Sequence, residues 1–502
     1  MRWEYVPTIA APTLKQSSLR QKTIHALSWS FLESAGLQGA RFVIGIILAR
    51  LLFPEQFGLI GMLMIFIAVA QTFLDSGFGA ALIQKPEATP ADTCSIFYFN
   101  IAVGLVAAGL MCLAAPWIAA FYNQPILTPL ARALSLTIVI NSLGMVQSTI
   151  LMKEINFKTQ TKVSLTASVL SGIVGVTLAA FGFGVWSLVV QQICGALVGT
   201  ACLWFFMPWR PALIFSFKAL RGMFRFGSRL LASGLLDQIF RNIYLLVIGK
   251  MFSATDLGFF TRAQTFGDLP SQTISGMVGR VTFPVFSTIQ DDSARLKRGM
   301  KKALTSLVLV NFPMMIGLAV IARPLVLVLL TEKWAESIPY LQLLSLLGLL
   351  YPLHVINLNL LQALGKSNLF LRLEIIKKAL IVINIAVTWR YGISAMICGM
   401  IPLSIIAYYL NSYYTGSLIG YPIWEQLRDL FSYLILAVLM GMTVYVAGLL
   451  PIPNHWSMLL LQITIGIVTY TCLCRLFRLA AFMEFWQADW NKLPFLRARA
   501  TA

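Results

Sequence analysis

The sequence is poor in charged residues. Only 11% of its 502 residues are Asp, Glu, Lys or Arg and 58% are hydrophobic, whereas soluble chains hold about 25% charged residues. Apolar stretches of at least about 18 residues recur along the chain, and each is long enough to cross a bilayer as a helix. Because a backbone in lipid must satisfy its own hydrogen bonds, the sequence predicts an all-α polytopic membrane protein.

Groups that catalyse reactions or bind metals are also scarce. The three histidines, His25, His354 and His455, are too scattered to predict a metal site. Residues 365–367 (GKS) look like the end of a phosphate-binding loop, but Leu360 stands where that motif requires glycine. We therefore expect no enzyme activity, no metal and no cofactor, and no ATP bound by this chain.

Acidic residues are half as frequent as basic ones, 19 against 38, which gives a net charge of +19. In a soluble protein this excess would suggest nucleic acid. Here the basic residues lie at the ends of apolar segments, where membrane topology and anionic lipids explain them. Counted from a cytoplasmic N-terminus, 28 of the 38 fall in the predicted inner loops and tails. We predict both termini in the cytoplasm and no nucleic-acid partner.

The apolar pattern predicts about fourteen transmembrane helices in two parallel six-helix lobes, with two extra C-terminal helices. The predicted organisation is a basic cytoplasmic tail (1–24), an N-lobe of helices 1–6 (25–208), a cytoplasmic linker (209–226), a C-lobe of helices 7–12 (227–414), helices 13–14 (415–477) and a cytoplasmic C-terminal tail (478–502).

One short element occurs twice, which supports the division into two lobes. LARLLFPEQFG (48–58) and IGKMFSATDLG (248–258) both have a cation at the third position, an amide or acid at the ninth and glycine at the eleventh. Because six spans separate the copies, both have the same orientation, as in parallel repeats related by an axis along the membrane normal. Identical residues at the same offset of 200 are Ser28, Gln38, Arg41, Gly58, Phe66 and Gly79.

Charged residues inside the predicted spans are the candidate site. Facing lipid, each would cost roughly 2.5–3.5 kcal/mol, so we expect them to face one another or a wet interior. Asp237 and Arg241 are four residues apart and could simply pair, so that alternative stays open. The predicted anion-binding residues are Arg41, Arg241, Gln38, Gln238, Arg262 and Arg280. The candidates for proton or sodium coupling are Asp237, Asp268, Glu33 and Asp75.

The stretch GIILARLLFPEQFGLIG, followed by FLDSGFGAALIQ, resembles the start of the polysaccharide flippases. These are the O-antigen and exopolysaccharide exporters of the multidrug/oligosaccharidyl-lipid/polysaccharide superfamily. The resemblance implies a V-shaped cavity between two lobes, opening to each side of the bacterial inner membrane in turn. It also implies a cargo of isoprenoid-pyrophosphate-linked oligosaccharides, contact with membrane lipids, and association with a polysaccharide polymerase complex. It assigns no site residue.

Three alternatives remain open at this point. A drug or cation antiporter of the same superfamily would need a cavity dominated by acids, and Glu33 and Asp75 are available. A membrane polysaccharide polymerase would normally carry a large outer loop, whereas the longest predicted one spans only about 324–336. A scaffold for polysaccharide assembly would need no transport site.

Overall fold

The computed structural model describes residues 36–487 except Ser76 and Pro86, and all regular secondary structure in this part of the chain is helical. The all-α prediction is therefore confirmed. Two short 3-10 helices, Glu332–Trp334 and Trp389–Tyr391, accompany the α-helices. The α-helices are α1 (36–51), α2 (Pro54–Asp75), α3 (Phe78–Gln84), α4 (Pro90–Tyr122), α5 (Leu127–Lys153), α6 (Phe157–Ala180), α7 (Val185–Phe206), α8 (Phe217–Arg241), α9 (Ile243–Met251), α10 (Ala254–Thr288), α11 (Ser293–Leu329), α12 (Ser337–Gly348), α13 (Tyr351–Ala363), α14 (Ser367–Thr388), α15 (Ile393–Ile419), α16 (Ile423–Ala447), α17 (His455–Leu476) and α18 (Ala480–Gln487).

Ten helical segments of the described chain are long and apolar enough to cross a membrane, with α2–α3 and α12–α13 each taken as one segment. An eleventh is the second half of α8, Leu230–Arg241, taken with α9, which passes the same test although the pair is bent by 42°. The predicted spans that fall on α1, α10 and α14 are helical in their described parts but are not among these. The protein is a multi-pass membrane protein, and the number fourteen remains a prediction.

The chain divides into two compact units, with the boundary between Thr261 and Arg262. In the first unit, α4 packs along α5, and α7 packs on both α5 and α6. One apolar core of this unit lies where α3, α4, α5 and the start of α8 meet, and it includes Phe78, Phe97 and Ile150. The first unit extends past the predicted linker (209–226), and the lobe boundaries remain predictions.

In the second unit, α11 is the central helix and packs against α12, α16 and α17. Its core includes Phe312, Tyr433 and Met440, all of them buried. An ion pair at one end of α11 joins it to α16, because Lys301 Nζ lies 2.6 Å from a carboxylate oxygen of Asp429. Burial and the Asp429 carboxylate raise the pKa of Tyr421, so its hydroxyl stays protonated and donates to Asp429.

Local sequence signals fix where the helices begin. The Thr89 side chain accepts a hydrogen bond from the Asp92 backbone N–H, and the Thr89 N–H donates to the Asp92 carboxylate. This capping box, followed directly by proline, begins α4. Asn156 and Asp292 cap α6 and α11 in the simpler way, each accepting one backbone N–H in the first turn.

Candidate functional site

Glycines line the contact between α8–α9 and α2–α3 within the first unit. A methyl group added at Gly77 would lie 2.5 Å from a carbonyl oxygen of α8. A methyl at Gly234 would lie 3.1 Å from the Thr72 side chain, and one at Gly249 would lie 3.0 Å from that of Met62. The two helical segments therefore run antiparallel with their backbones in close approach, which small residues permit in membranes. We call this contact the glycine seam.

The repeated element extends the glycine seam from α9 to the start of α10. A methyl group at Gly58 would lie 2.5 Å from the carbonyl carbon of Ala254 and closer still to its oxygen. A methyl group at Gly258 would lie 2.5 Å from the carbonyl carbon of Pro54, and again closer to the oxygen. Pro54 and Ala254 are themselves related by the offset of 200. Each repeat thus presents its glycine to the same carbonyl of the other, and only glycine fits.

The remaining features of the element cap its helices. In the first copy, the Phe53 N–H donates to the Gln56 side chain at 3.1 Å. In the second copy, the Ser253 N–H donates to Asp256 at 3.2 Å. The side chain at the ninth position therefore accepts a backbone N–H just before a helix begins, as Glu or Gln does in a capping box. Both copies have an amide or acid there because a helix begins at the same point in each.

The cation of the second copy is bound at the same end of the unit. Lys250 Nζ donates to the backbone carbonyl of Phe121, and it lies 4.7 Å from the centre of the Phe121 ring. Phe121 is in the last turn of α4, where a cation stabilises the helix C-terminus. Lys250 thus fastens the end of α9 to α4.

The α8–α9 segment is broken at Asn242, next to two of the predicted site residues. Arg241 is the last residue of α8, and its Nε lies 2.9 Å from Oδ2 of Asp237. Both side chains are accessible, at 72% and 48%. Asn242 Nδ2 donates to the Gln238 carbonyl at 2.9 Å, which satisfies a backbone group near the break. The pairing alternative left open by the spacing is therefore what the structure contains.

The ion pair uses only part of the Arg241 guanidinium. Arginine has five N–H donors in a planar fork, and within the described residues no hydrogen bond of its two Nη groups is present. The two Nη groups of Arg241 can donate to an anion while Asp237 holds Nε. Interrupted helices are typical of substrate sites in membrane transporters.

The first repeat places its predicted residues on α1. Gln38 and Arg41 are both exposed and, being three residues apart, share a face. Arg41 forms no ion pair with another residue in the described ranges. Asp75 is exposed as the last residue of α2. Glu33 lies outside the described residues.

The other predicted residues belong to α10 in the second unit. Arg262 and Asp268 are half-buried, and the side chain of Arg280 lies outside what the structure describes. Ser271 Oγ donates to the Gly348 carbonyl at 3.0 Å, which fixes α10 on α12. The described site residues of the first unit thus lie on α1, α2 and α8, and those of the second unit on α10.

A buried polar network in the second unit was not predicted from the sequence. Thr415 donates to the Asn357 side chain at 2.8 Å, and Tyr408 donates to the Gln426 side chain at 2.9 Å. His354 contacts a serine of α15 through Nε2 at 2.9 Å. These groups join α13, α15 and α16. In the sequence, the signal of this network is a set of amides and a histidine inside apolar spans, whereas the predicted site was based on charged residues inside the spans.

Comparison with known families identifies the family of this chain. A family model described as "Polysaccharide biosynthesis protein" matches residues 47–339, more than half of the chain. The chain belongs to this polysaccharide biosynthesis family. The family resemblance of the stretches GIILARLLFPEQFGLIG and FLDSGFGAALIQ is therefore confirmed.

Relatives of this polysaccharide biosynthesis protein support the assignment. The lipopolysaccharide biosynthesis protein WzxC of Escherichia coli (strain K12) is 31% identical over 341 residues, covering 66% of this chain and 68% of the relative. The succinoglycan biosynthesis transport protein ExoT of Rhizobium meliloti (strain 1021) is 30% identical over 348 residues, covering 69% and 68%.

Solved structures give the fold of this family member. The lipid II flippase MurJ, in an inward closed conformation, aligns with a TM-score of 0.71 at 14% identity and covers 92% of this chain and 99% of its own. A multidrug resistance MATE family transporter, inward-facing, aligns at 0.59 and 17% identity, covering 76% and 94%. The fold is therefore that of these transporters, and the fold alone does not identify the transported substrate.

Proposed function

We propose that this protein is a secondary transporter that flips isoprenoid-pyrophosphate-linked oligosaccharides across the bacterial inner membrane. It works by alternating access, catalyses no covalent reaction and delivers its cargo for exopolysaccharide or lipopolysaccharide synthesis. Membership of the polysaccharide biosynthesis family supports this proposal. So does the relative named as a succinoglycan biosynthesis transport protein. A polysaccharide polymerase complex is the partner expected on the outer side.

The observation that carries the proposal is the accessible Asp237–Arg241 pair beside the break in α8–α9. Charges near the middle of a membrane-crossing segment such as 230–251 are costly in lipid, so an accessible pair there is best explained by a wet cavity. A guanidinium group binds phosphate with a planar fork of donors, which suits a pyrophosphate. Arg41, exposed on α1, supplies a second guanidinium for the same task.

In this mechanism the glycine seam is the surface that opens and closes. Close packing through Gly58 and Gly258 lets the two repeats seal one end, and separation there admits or releases cargo. The lobes of 25–208 and 227–414 are the moving bodies, and both termini lie in the cytoplasm. Coupling to protons or sodium through Asp237 or Asp268 drives the cycle.

Deletion of the gene followed by analysis of lipid-linked saccharides tests this function. We expect repeat units to accumulate on the inner leaflet and polymer to disappear from the surface. Arg41→Ala and Arg241→Ala are each expected to reproduce the deletion while the protein still inserts. Arg132→Ala is the matched control, because Arg132 is also exposed on a membrane helix but lies outside the proposed site. Wild-type polymer yield with both site variants would refute the anion cavity.

A second candidate is a drug or cation antiporter. The similarity of fold to a multidrug resistance transporter and the exposed carboxylate of Asp75 favour it. Drug sensitivity of the deletion strain separates the two functions. An antiporter would leave the strain sensitive to cationic drugs with normal surface polymer, and Asp75→Asn would reproduce that sensitivity.

A further inference from the structure

A cavity lies away from the predicted site, at the end of the first unit where α3 ends and α8 begins. Its volume is about 660 Å³, within the range of roughly 300–1,000 Å³ that ligand pockets occupy. Gln84, Lys85 and Thr89 line one wall, and Ser216, Lys218 and Met223 line the other. Neither lysine was among the predicted site residues.

Both walls are fastened to the start of α4, so the cavity is preformed. On one side, Thr89 and Asp92 form the capping box of α4. On the other, the Ser216 N–H donates to Ser95 Oγ at 2.8 Å. Four residues before Ser216, the Ala212 carbonyl accepts a hydrogen bond from the Tyr98 hydroxyl of α4 at 3.1 Å. The segment between α7 and α8 is thus held against α4 and forms a fixed wall.

The charges around the cavity are predominantly positive. Asp92 is only 3% exposed, and Lys85 Nζ lies 2.5 Å from its carboxylate. Lys153 Nζ donates to the carbonyl of Lys85 at 2.6 Å, and its ammonium is attracted by the same Asp92 carboxylate. Lys218, on the opposite wall, is exposed and forms no ion pair with another described residue. Asp92 is therefore already paired, and the charged residues that line the cavity are Lys85 and Lys218.

Apolar side chains beside Lys218 indicate contact with lipid. Leu213 is 96% exposed and Phe217 is 79% exposed. Phe215 packs edge-on against Phe217, with ring centres 5.0 Å apart. Exposed aromatic and aliphatic side chains next to lysine are characteristic of segments at the membrane surface.

We propose that this cavity binds the phosphate group of a lipid head group between Lys85 and Lys218. Lysine binds phosphate as a point charge, and Ser216, whose oxygen accepts from the Ala219 N–H at 3.3 Å, keeps its hydroxyl proton for a phosphate oxygen. The lipid is either the pyrophosphate-linked cargo before it reaches Arg41 and Arg241, or an anionic phospholipid. The cargo assignment rests on the proposed function, whereas phosphate binding does not.

Binding of farnesyl pyrophosphate to the full-length protein in phosphatidylcholine nanodiscs tests the site. We expect Lys218→Gln to raise the Kd about tenfold, as loss of one charge-assisted hydrogen bond does, and Lys218→Arg to keep it within about twofold. Lys162→Gln is the matched control, since Lys162 is exposed on α6 and does not line the cavity. An unchanged Kd for Lys218→Gln, or an equal rise for Lys162→Gln, would overturn the proposal.

Nanodiscs containing phosphatidylglycerol identify the lipid. If this lipid raises the Kd for the probe in the wild type but not in Lys218→Gln, the occupant is a phospholipid. If the wild-type Kd does not change, the site selects the isoprenoid pyrophosphate. A protein that binds the probe through Lys218 but fails to restore export in the deletion strain refutes the proposed function and leaves the site standing.

Discussion

Replacing Gly58 or Gly258 with alanine tests the reciprocal contact between the repeats. A methyl group at either position would overlap the facing carbonyl so closely that the helices must separate by more than about 1 Å. Overpacking of this kind typically costs about 1–3 kcal/mol. Because the two contacts are equivalent, we expect similar losses of thermal stability for the two variants, and a closed end that no longer seals.

Two measurements test this. One is the melting temperature of each purified variant in detergent, and the other is the amount of polymer that each variant restores in the deletion strain. Gly109→Ala is the control, since Gly109 lies in α4 with nothing within 4 Å of the added methyl, and alanine favours a helix. We expect Gly109→Ala to equal the wild type in both measurements. Wild-type melting temperature and export for Gly58→Ala and Gly258→Ala would refute the reasoning.

Three further predictions concern the seam, the ion pair and a helix cap. A disulfide between Thr72→Cys and Gly234→Cys, whose side chains face each other with the Thr72 Cγ2 atom 3.1 Å from the Cβ added at Gly234, should stop export until reduced. Asp237→Asn should keep the protein level, because an exposed ion pair contributes about 0–1 kcal/mol, and should change the pH dependence of export if Asp237 carries the coupled protons. Thr89→Ala should destabilise the start of α4 by about 1 kcal/mol, seen as a lower melting temperature.

Each of these has a control and a contrary outcome. For the disulfide, built in a background without the seven native cysteines, the control pair is Gly79→Cys with Thr149→Cys, which join α3 to α5 at 3.3 Å and should leave export intact. Export by the oxidised seam pair would show that the seam does not move. A fall in protein level alone for Asp237→Asn would make that residue structural. Thr89→Ser should melt like the wild type, and equal losses for serine and alanine would contradict the cap.

The helical fold could be predicted from composition and hydropathy because lipid leaves the backbone few alternatives. The repeat was detectable because the same helix ending recurs at one offset, and the structure shows what each recurring position does. Gly58 and Gly258 allow close approach, while Gln56 and Asp256 cap helices. The helix caps join residues only three positions apart, so the spacing of residues in the sequence is enough to reveal them.

The candidate site was less accessible to such reasoning. The spacing of Asp237 and Arg241 allowed pairing but could not show the break at Asn242, because asparagine is ordinary in many helices. The cavity at Lys85 and Lys218 joins residues far apart in the sequence, and their meeting depends on how the segment before α8 folds onto α4. Hydropathy had assigned that segment only as a linker.

The reciprocal glycine contact has a consequence for the origin of the two halves. Each copy of the helix ending meets the other with equivalent atoms, as two subunits do across a twofold axis. A six-helix protein with one copy could therefore pair with an identical chain through this surface. Gene duplication and fusion would then preserve the contact unchanged, which accounts for a glycine at both positions where the neighbouring residues have diverged.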